Sequence, residues 1–363
     1  MATHTTRTRR SPRQLPPLTR SPLTTVGLDV GDRQSLFCVL DERGDVVEEG
    51  RLPTTPSALG RRFGSMPSAR VVLETGTHSP WISRLVASCG HEVIVGNPRR
   101  LRLIADSDTK TDRLDAEFLA RVGRVDPVLL APVRHRAAAT QRDLALLRAR
   151  DALVQARTQL VNHVRGAVKS VGGRLPKCST HSFARQVSDA IPEELRTALT
   201  PVLALIERVS ADLSAYDRQV EQLAATRYPE TARLRQVAGV GPLTALCFVL
   251  TLEDPGRFPH SRAVGSYLGL RPRQRDSGAA APALRITKAG DPMLRRLLVT
   301  SAHYILGPFA PASELRRWGL VLAARGGKTG KRRAVVAVAR KLAVILHRLW
   351  TSGGTYVPVR AAA

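Results

Sequence analysis

From Thr25 onward, apolar residues fall in short runs separated by turn chemistry. Val26–Val30 and Ser35–Leu40 are divided by Gly31-Asp32-Arg33, and Glu42-Arg43-Gly44-Asp45 turns the chain into Val46–Leu52. Short apolar runs bounded by Gly and Asp predict three strands in a meander. A helix near Ser57–Phe63, a strand at Arg70–Glu74, a helix around Pro80–Ser88 and a strand at Glu92–Val95 follow. The spacing in Thr111–Val122 predicts a helix with Leu114, Phe118, Leu119 and Val122 on one face. Strands first, then alternating helix and strand, predict an α/β layer of about 110 residues.

The period changes in the middle of the chain. Leu146, Leu153 and Leu160 recur every seven residues, in a stretch without Gly or Pro between Ala137 and Arg165. A second helix carries Leu199, Val202, Ile206, Val209, Leu213, Tyr216, Val220 and Leu223. Those spacings alternate three and four, the seam of a left-handed coiled coil. Gly172-Gly173 through His181 reads as a loop between them. The expectation is an antiparallel arm of two long helices, with dimerisation and a purely internal hairpin both open. From Leu234 the chain reads as mostly helical, with loops rich in Gly, Pro and Arg.

Charge narrows the function. The 363 residues hold 56 Lys and Arg against 30 Asp and Glu, a net charge of +26, and 43% of them are hydrophobic, enough for real cores. Such a surplus favours a polyanionic partner, nucleic acid or an anionic membrane surface. No apolar run approaches the roughly 20 residues that span a bilayer, which leaves nucleic acid and no membrane. The first twenty residues carry Arg7, Arg9, Arg10, Arg13 and Arg20 and no acid, the pattern of a basic disordered arm and not of a secretory signal. Cys38, Cys89, Cys178 and Cys247 have no metal-type spacing, so reduced cytoplasmic thiols are expected. From Arg316 to Arg348 there are ten Lys or Arg and no acid, which favours phosphate contact.

In so basic a chain, acids inside apolar strands call for a reason. Asp29 lies within Val26-Gly27-Leu28-Asp29-Val30-Gly31, and Glu74 ends Val71-Val72-Leu73-Glu74. An unpaired charge in such surroundings is costly. Asp112 and Asp115, three apart on one predicted helix, share a face. Four carboxylates converging from two strand ends and a helix would hold a pair of Mg²⁺ (or Mn²⁺) ions for phosphodiester chemistry. Asp112 and Asp115 also fit ordinary surface acids paired with Arg113 or Arg121. Asp29 in Gly-Leu-Asp-Val-Gly also fits the first phosphate hairpin of actin-like ATPases, but the second Gly-rich loop that reading needs is missing.

Strand-Asp, meander, strand-Glu and a helix with Asp-x-x-Asp resemble the RNase H-like fold of RuvC-type nucleases. The chain more closely resembles the IS110/IS1111 family of insertion-sequence transposases, in Gly27-Leu28-Asp29-Val30-Gly31, Leu73-Glu74-Thr75-Gly76 and Lys110-Thr111-Asp112-Arg113-Leu114-Asp115-Ala116. The resemblance implies an α/β RNase H-like (RuvC-like) N-terminal domain over 25–130 after a basic arm at 1–24. It implies a coiled-coil region over 136–228 and a mostly α-helical transposase domain over 234–350. Asp29, Glu74, Asp112 and Asp115 become its metal-binding DEDD set.

The last domain carries two further motifs. Val237-Ala238-Gly239-Val240-Gly241-Pro242-Leu243-Thr244-Ala245 looks like the hairpin of a helix-hairpin-helix element, where Gly239 and Gly241 would let backbone N–H groups approach phosphate. Ser277 precedes Gly278 among Arg271, Arg273, Arg275, Arg285 and Lys288, which would hold a phosphate, as would Lys110 in the N-terminal domain. By itself Ser277 reads as a turn residue. The family resemblance makes it the recombination nucleophile, ahead of Ser301, which follows an apolar helical run and reads as packed. The family implies excision and insertion of DNA through a covalent serine–DNA intermediate, guided by a noncoding bridge RNA and carried out by a homo-oligomer, a dimer or tetramer. The separation of the two motif sets by the arm leaves open a site combined across subunits. A RuvC-like nuclease or Holliday-junction resolvase using water, a DNA invertase, and a nucleic-acid-binding protein without activity are the alternatives.

Overall fold

The structure, a computed structural model, describes residues 24–98, 112–274 and 284–359, without the side chains of Asp112 and Lys328. Lys110, Arg275 and Ser277 lie outside the described residues. The chain forms two compact units, Met1–Arg136 and Ala137–Ala363. One five-stranded mixed sheet and twelve α-helices are present among the described residues. No helix among them is long and apolar enough to cross a membrane. The four cysteines are free.

In the first unit β1 (Thr25–Val30), β2 (Gln34–Leu40) and β3 (Val46–Pro53) form the expected meander. β4 (Arg70–Glu74) and β5 (Glu92–Gly96) extend it in parallel on the other side of β1, in the order β3-β2-β1-β4-β5. Connections between the parallel strands need crossovers, and α2 (Ser79–Ser88) supplies the one between β4 and β5. Pairing of alternate residues sorts the two faces. Val26, Leu28, Phe37, Val39, Val71, Leu73 and Val95 pack with Leu59 and Phe63 of α1 (Pro56–Gly64) and with Ile82 and Val86 of α2. Cys38, Leu40, Val72 and Ile94 point the other way, into α3 (Asp112–Val125).

The helix α3 sits lower on the sheet than its leucines predict. Leu114 is exposed, at 46%, and leaves the expected face; Leu119 is buried, Phe118 and Val122 pack partly buried against the core, and Ala116, Ala120 and Gly123 join them. The cause is backbone proximity: a Cβ on Gly27 would stand 1.9 Å from the carbonyl oxygen of Ala116 and 2.6 Å from the nitrogen of Ala120. Small residues on both sides let the helix lie directly on β1. Buried Arg70 ties the other end down, donating to Glu92 Oε2 at 3.0 Å and to the Gly123 carbonyl at 3.1 Å.

The second unit opens with α4 (Ala138–Ser170) and α6 (Glu193–Arg227), packed antiparallel. Arg150 Nε donates to Asp217 at 2.6 Å and Arg157 to Ser210 Oγ at 3.2 Å, so seven residues forward on one helix are seven back on the other. In α6 the expected seam is inside, with Leu199, Ile206, Val209, Leu213 and Val220 buried. In α4 the structure differs: Leu146, Leu153 and Leu160 are only half-buried, and Leu144, Leu147, Val161, Val164 and Val168 are buried instead. The two ends of α4 explain this. One joins the large C-terminal core, and the other packs with α5 (Phe183–Val187), a short helix that follows the expected loop and whose Phe183 is fully buried. At the base of the hairpin buried Asp143 accepts from Tyr228 Oη at 2.6 Å and from Arg227 at 3.0 Å.

The C-terminal core surrounds α8 (Pro242–Leu252), which follows the single-turn α7 (Glu230–Leu234) and is buried on every side from Thr244 to Leu252. Only a helix enclosed by other helices is apolar all round. Around it lie α9 (Arg262–Tyr267), α10 (Pro292–Leu306), α11 (Glu314–Ala324) and α12 (Gly327–Ser352).

Candidate functional site

Strand alternation decides where the acids of the first unit face. Asp29 is two residues on from Gly27, and Glu74 two on from Val72, so both belong to the face that α3 covers. β1 and β4 are parallel and in register through Leu28 and Leu73, so Asp29 and Glu74 are neighbours at the same ends of adjacent strands. Both are half-buried and both line one cavity of about 300 Å³, with Val30, Asp32, Thr75 and His78.

The orientation of α3 brings the other two acids to that end. Arg124, in its last turn, donates to the Asp41 carbonyl at 3.1 Å, and Leu40 before it pairs with Thr25 at the start of β1. The helix therefore runs antiparallel to β1, and its first turn, with Asp112 and half-buried Asp115, lies toward the strand ends. Arg113 anchors that turn, donating to Glu49 Oε1 at 3.0 Å. Among the described residues no three His, Cys, Asp or Glu side chains are gathered tightly enough to enclose an ion. Carboxylate oxygens are nevertheless the donors that hard divalent cations take, and a cavity lined by Asp29, Asp32 and Glu74, under a helix bearing two more acids, fits that chemistry. Cys38 shares the face but is no ligand candidate: burial, then Glu49 and Glu117, push its thiol up to about 11.

Two cavity residues were missed by the sequence reading. Asp32 reads there as a turn residue, and His78 falls between the strand at Arg70–Glu74 and the helix around Pro80–Ser88. In the structure the Trp81 indole N–H donates to His78 Nδ1 at 3.1 Å, which leaves the proton on Nε2, 3.3 Å from Asp32 Oδ1. The supporting loop is fixed from below by Ser79, fully buried, whose Oγ accepts from Gly76 N at 3.0 Å and lies 2.9 Å from His135 Nε2. Burial, then Arg84 and Arg136, hold His135 below its ordinary value, so its ring stays neutral near pH 7. No local spacing signals this, because His135 is 56 residues from Ser79.

In the second unit the arginine-rich segment is a pinned ladder. Pro272 bridges Ile286 in antiparallel fashion, with Arg273 N donating to Arg285 O at 3.0 Å and Thr287 N to Arg271 O at 2.9 Å. Arg271, Arg273, Arg285 and Lys288 are all exposed on it. Lys288 holds a left-handed backbone (φ 54°) and donates its N–H to Gly269 O at 3.1 Å. A Cβ on Gly269 would meet the Ala289 backbone at 2.3 Å, so the ladder closes tightly onto the end of α9. Ser277 falls between the two ladder strands in sequence. Ser301 is buried on α10. Gly239 (φ 83°) and Gly241, the N-cap of α8, line a separate cavity of about 480 Å³ with Arg235, Thr244, Thr300, Ser301 and Tyr304.

Comparison with known proteins fits this arrangement. Residues 26–172 match the family model DEDD_Tnp_IS110, a transposase, and residues 231–314 match the transposase IS116/IS110/IS902 family. The two matches cover more than half of the chain, on the unit with the carboxylate cavity and on the helical core with the arginine ladder. They define a DNA transposase, an enzyme that cuts and rejoins DNA. The chain belongs to the IS110 family of transposases. It is similar to the transposase for insertion sequence element IS1111A of Coxiella burnetii, 29% identical over 91% of this chain and 90% of the relative. It is also similar to the transposase for insertion sequence element IS1328 of Yersinia enterocolitica (27%, over 92% and 98%) and to a probable family 20 transposase of Pseudomonas aeruginosa (26%, over 93% and 99%). A domain of the DEDD type points to dependence on a divalent cation.

Proposed function

We propose that the chain excises and inserts an insertion-sequence element through a covalent serine–DNA intermediate, with Ser277 as nucleophile. The observation that carries the reading is the pairing of Asp29 and Glu74 on one cavity at the ends of adjacent parallel strands, under the helix with Asp112 and Asp115. The strand order and the placement of these acids support an RNase H-like first domain (25–130), preceded by a basic arm (1–24). The paired long helices support a coiled-coil region (136–228) ahead of a transposase domain (234–350).

Asp29, Glu74, Asp112 and Asp115 would hold Mg²⁺ or Mn²⁺, which when bound activates the attacking oxygen and offsets charge on the phosphate. Arg271, Arg273, Arg275, Arg285 and Lys288 hold the scissile phosphate, while Lys110 and the backbone at Gly239 and Gly241 hold flanking phosphates. The Ser277 oxygen bonds to phosphorus as the bond to the 3′ oxygen breaks, leaving a 3′-hydroxyl and a phosphoserine ester. Attack by the 3′-hydroxyl of another strand reverses the step, so strands are exchanged without ATP. The large positive charge supports a second polyanion, a noncoding bridge RNA that selects target and donor DNA. Homo-oligomers supply the several strand cuts.

Denaturing gels of the protein with DNA carrying the element's ends test the nucleophile. Wild type should leave a protein–DNA adduct that Ser277→Ala abolishes, and Asp29→Asn should lose adduct and cleavage together. Cleavage by wild type without any adduct would replace this reading with a nuclease or resolvase that uses water. Sequencing the RNA that co-purifies tests the guide: a discrete species from DNA flanking the gene is expected, and random fragments refute it.

A further inference from the structure

We propose that the tip of the α11–α12 hairpin is a separate nucleic-acid backbone-binding surface, carried by Arg325, Lys331, Arg332 and Arg333. Several arginines elsewhere are held by acids: Arg62 by Glu48 at 2.6 Å, Arg121 by Glu117 at 2.7 Å, Arg196 by Glu193 at 2.8 Å and Arg150 by Asp217 at 2.6 Å. Arg325, Lys331, Arg332 and Arg333 are all exposed, and none has an ion pair among the described residues. No acid occurs between Arg316 and Arg348 to pair with them.

The packing of α12 explains why the charges gather there. Ala334, Val335, Val338, Ala339, Leu342 and Ala343 are buried, so the helix interior is committed to the core and cations are left to its second turn and outer side. Further along, Lys341 is exposed and lies over the Trp318 ring at 4.3 Å, extending the stripe. Ten residues of helix separate it from Lys331, about 15 Å at the helical rise. Duplex nucleic acid carries a charge about every 1.7 Å of axis, so a stripe of that length spans several phosphates. Like charges held together repel one another, and an anion lying against them offsets that cost. The surface does not depend on the assignment of Ser277 or the carboxylates, since it involves neither.

The test is the salt dependence of binding by the full chain, in chelator to stop metal-dependent cleavage, by fluorescence anisotropy. The probes are duplex DNA and duplex RNA of about 30 base pairs, with the same sequence. The variant is Arg325→Gln/Lys331→Gln/Arg332→Gln/Arg333→Gln. Its comparison, of equal net charge, is Arg62→Gln/Arg121→Gln/Arg196→Gln/Arg150→Gln. Each phosphate contact contributes about 0.9 to the slope of log K against log salt, so the tip variant should lose about 3 to 4 on at least one duplex. The comparison variant should lose less than about 1, because its arginines are already neutralised. Loss on DNA alone or RNA alone identifies which duplex the tip holds. Equal slopes for the two variants on both duplexes overturn the proposal. If the quadruple tip variant melts early, Arg325→Gln/Arg333→Gln should still lose about 2, and no loss there overturns it equally.

Discussion

Replacing Gly27 by alanine tests whether the seat of α3 on β1 builds the candidate site. The added Cβ would stand 1.9 Å from Ala116 O and 2.6 Å from Ala120 N, both backbone atoms that no rotamer change can move. Carbon and oxygen in contact sit at roughly 3.3 Å, so the helix must retreat by about 1.4 Å or the strand must buckle. Overpacking of this kind costs typically about 1–3 kcal/mol, and a clash with backbone belongs at the upper end. The same retreat carries Asp112 and Asp115 away from Asp29 and Glu74, and a displacement of about 1 Å at a reacting centre lowers rates by about 100-fold. Gly27→Ala should therefore lower the urea midpoint and reduce metal-dependent strand cleavage by about 100-fold. Gly60→Ala, in α1 where a Cβ meets nothing within 4 Å, is the matched control and should be neutral or stabilising by up to about 1 kcal/mol. Unchanged cleavage and stability in Gly27→Ala would refute the argument that backbone proximity places the acids.

Three more outcomes follow from the geometry. His135 is held below its ordinary 6.5, so the unfolded chain binds its proton first as pH falls. That stabilisation is full above about pH 6.5 and is lost as pH falls through the folded value; melts from pH 7.5 to 5.5 should decline less steeply in His135→Asn. Asp143→Ala strips two charge-assisted bonds from Arg227 and Tyr228 at the hairpin base and should cost about 2–3 kcal/mol by denaturant titration; a loss under 0.5 would show the network to be incidental. His78→Ala should lower cleavage at least about tenfold with little change in melting temperature, because its Nε2–H faces the cavity and Trp81, not the core, holds the ring; equal cleavage would remove His78 from the site.

Much of the architecture was legible along the chain because short-range patterning specifies local structure. The meander, the strands at Arg70–Glu74 and Glu92–Val95 and the second long helix follow from periods of two and of three to four, and Asp29 and Glu74 stand out as charges inside apolar strands. Periodicity failed where another element took over the packing. Leu114 obeys the helical spacing but points to solvent, because Gly27 and the alanines, not the leucines, make the closest approach. Leu146, Leu153 and Leu160 keep a heptad, yet the ends of α4 turn their neighbours inward to meet α5 and the C-terminal core.

The sequence by itself determined the element types, the candidate acids and the excess of cations, since these depend on residue chemistry and spacing within one segment. Only the tertiary structure decided which acids meet, how His78 and Asp32 join them, and which arginines remain unpaired. Those depend on register between β1 and β4, on a helix reaching its strand across roughly ninety residues of chain, and on ion pairs formed between elements distant in sequence. Contacts of that kind leave no period to read, because what selects them is the packing of complete faces and not the order of residues along any one of them.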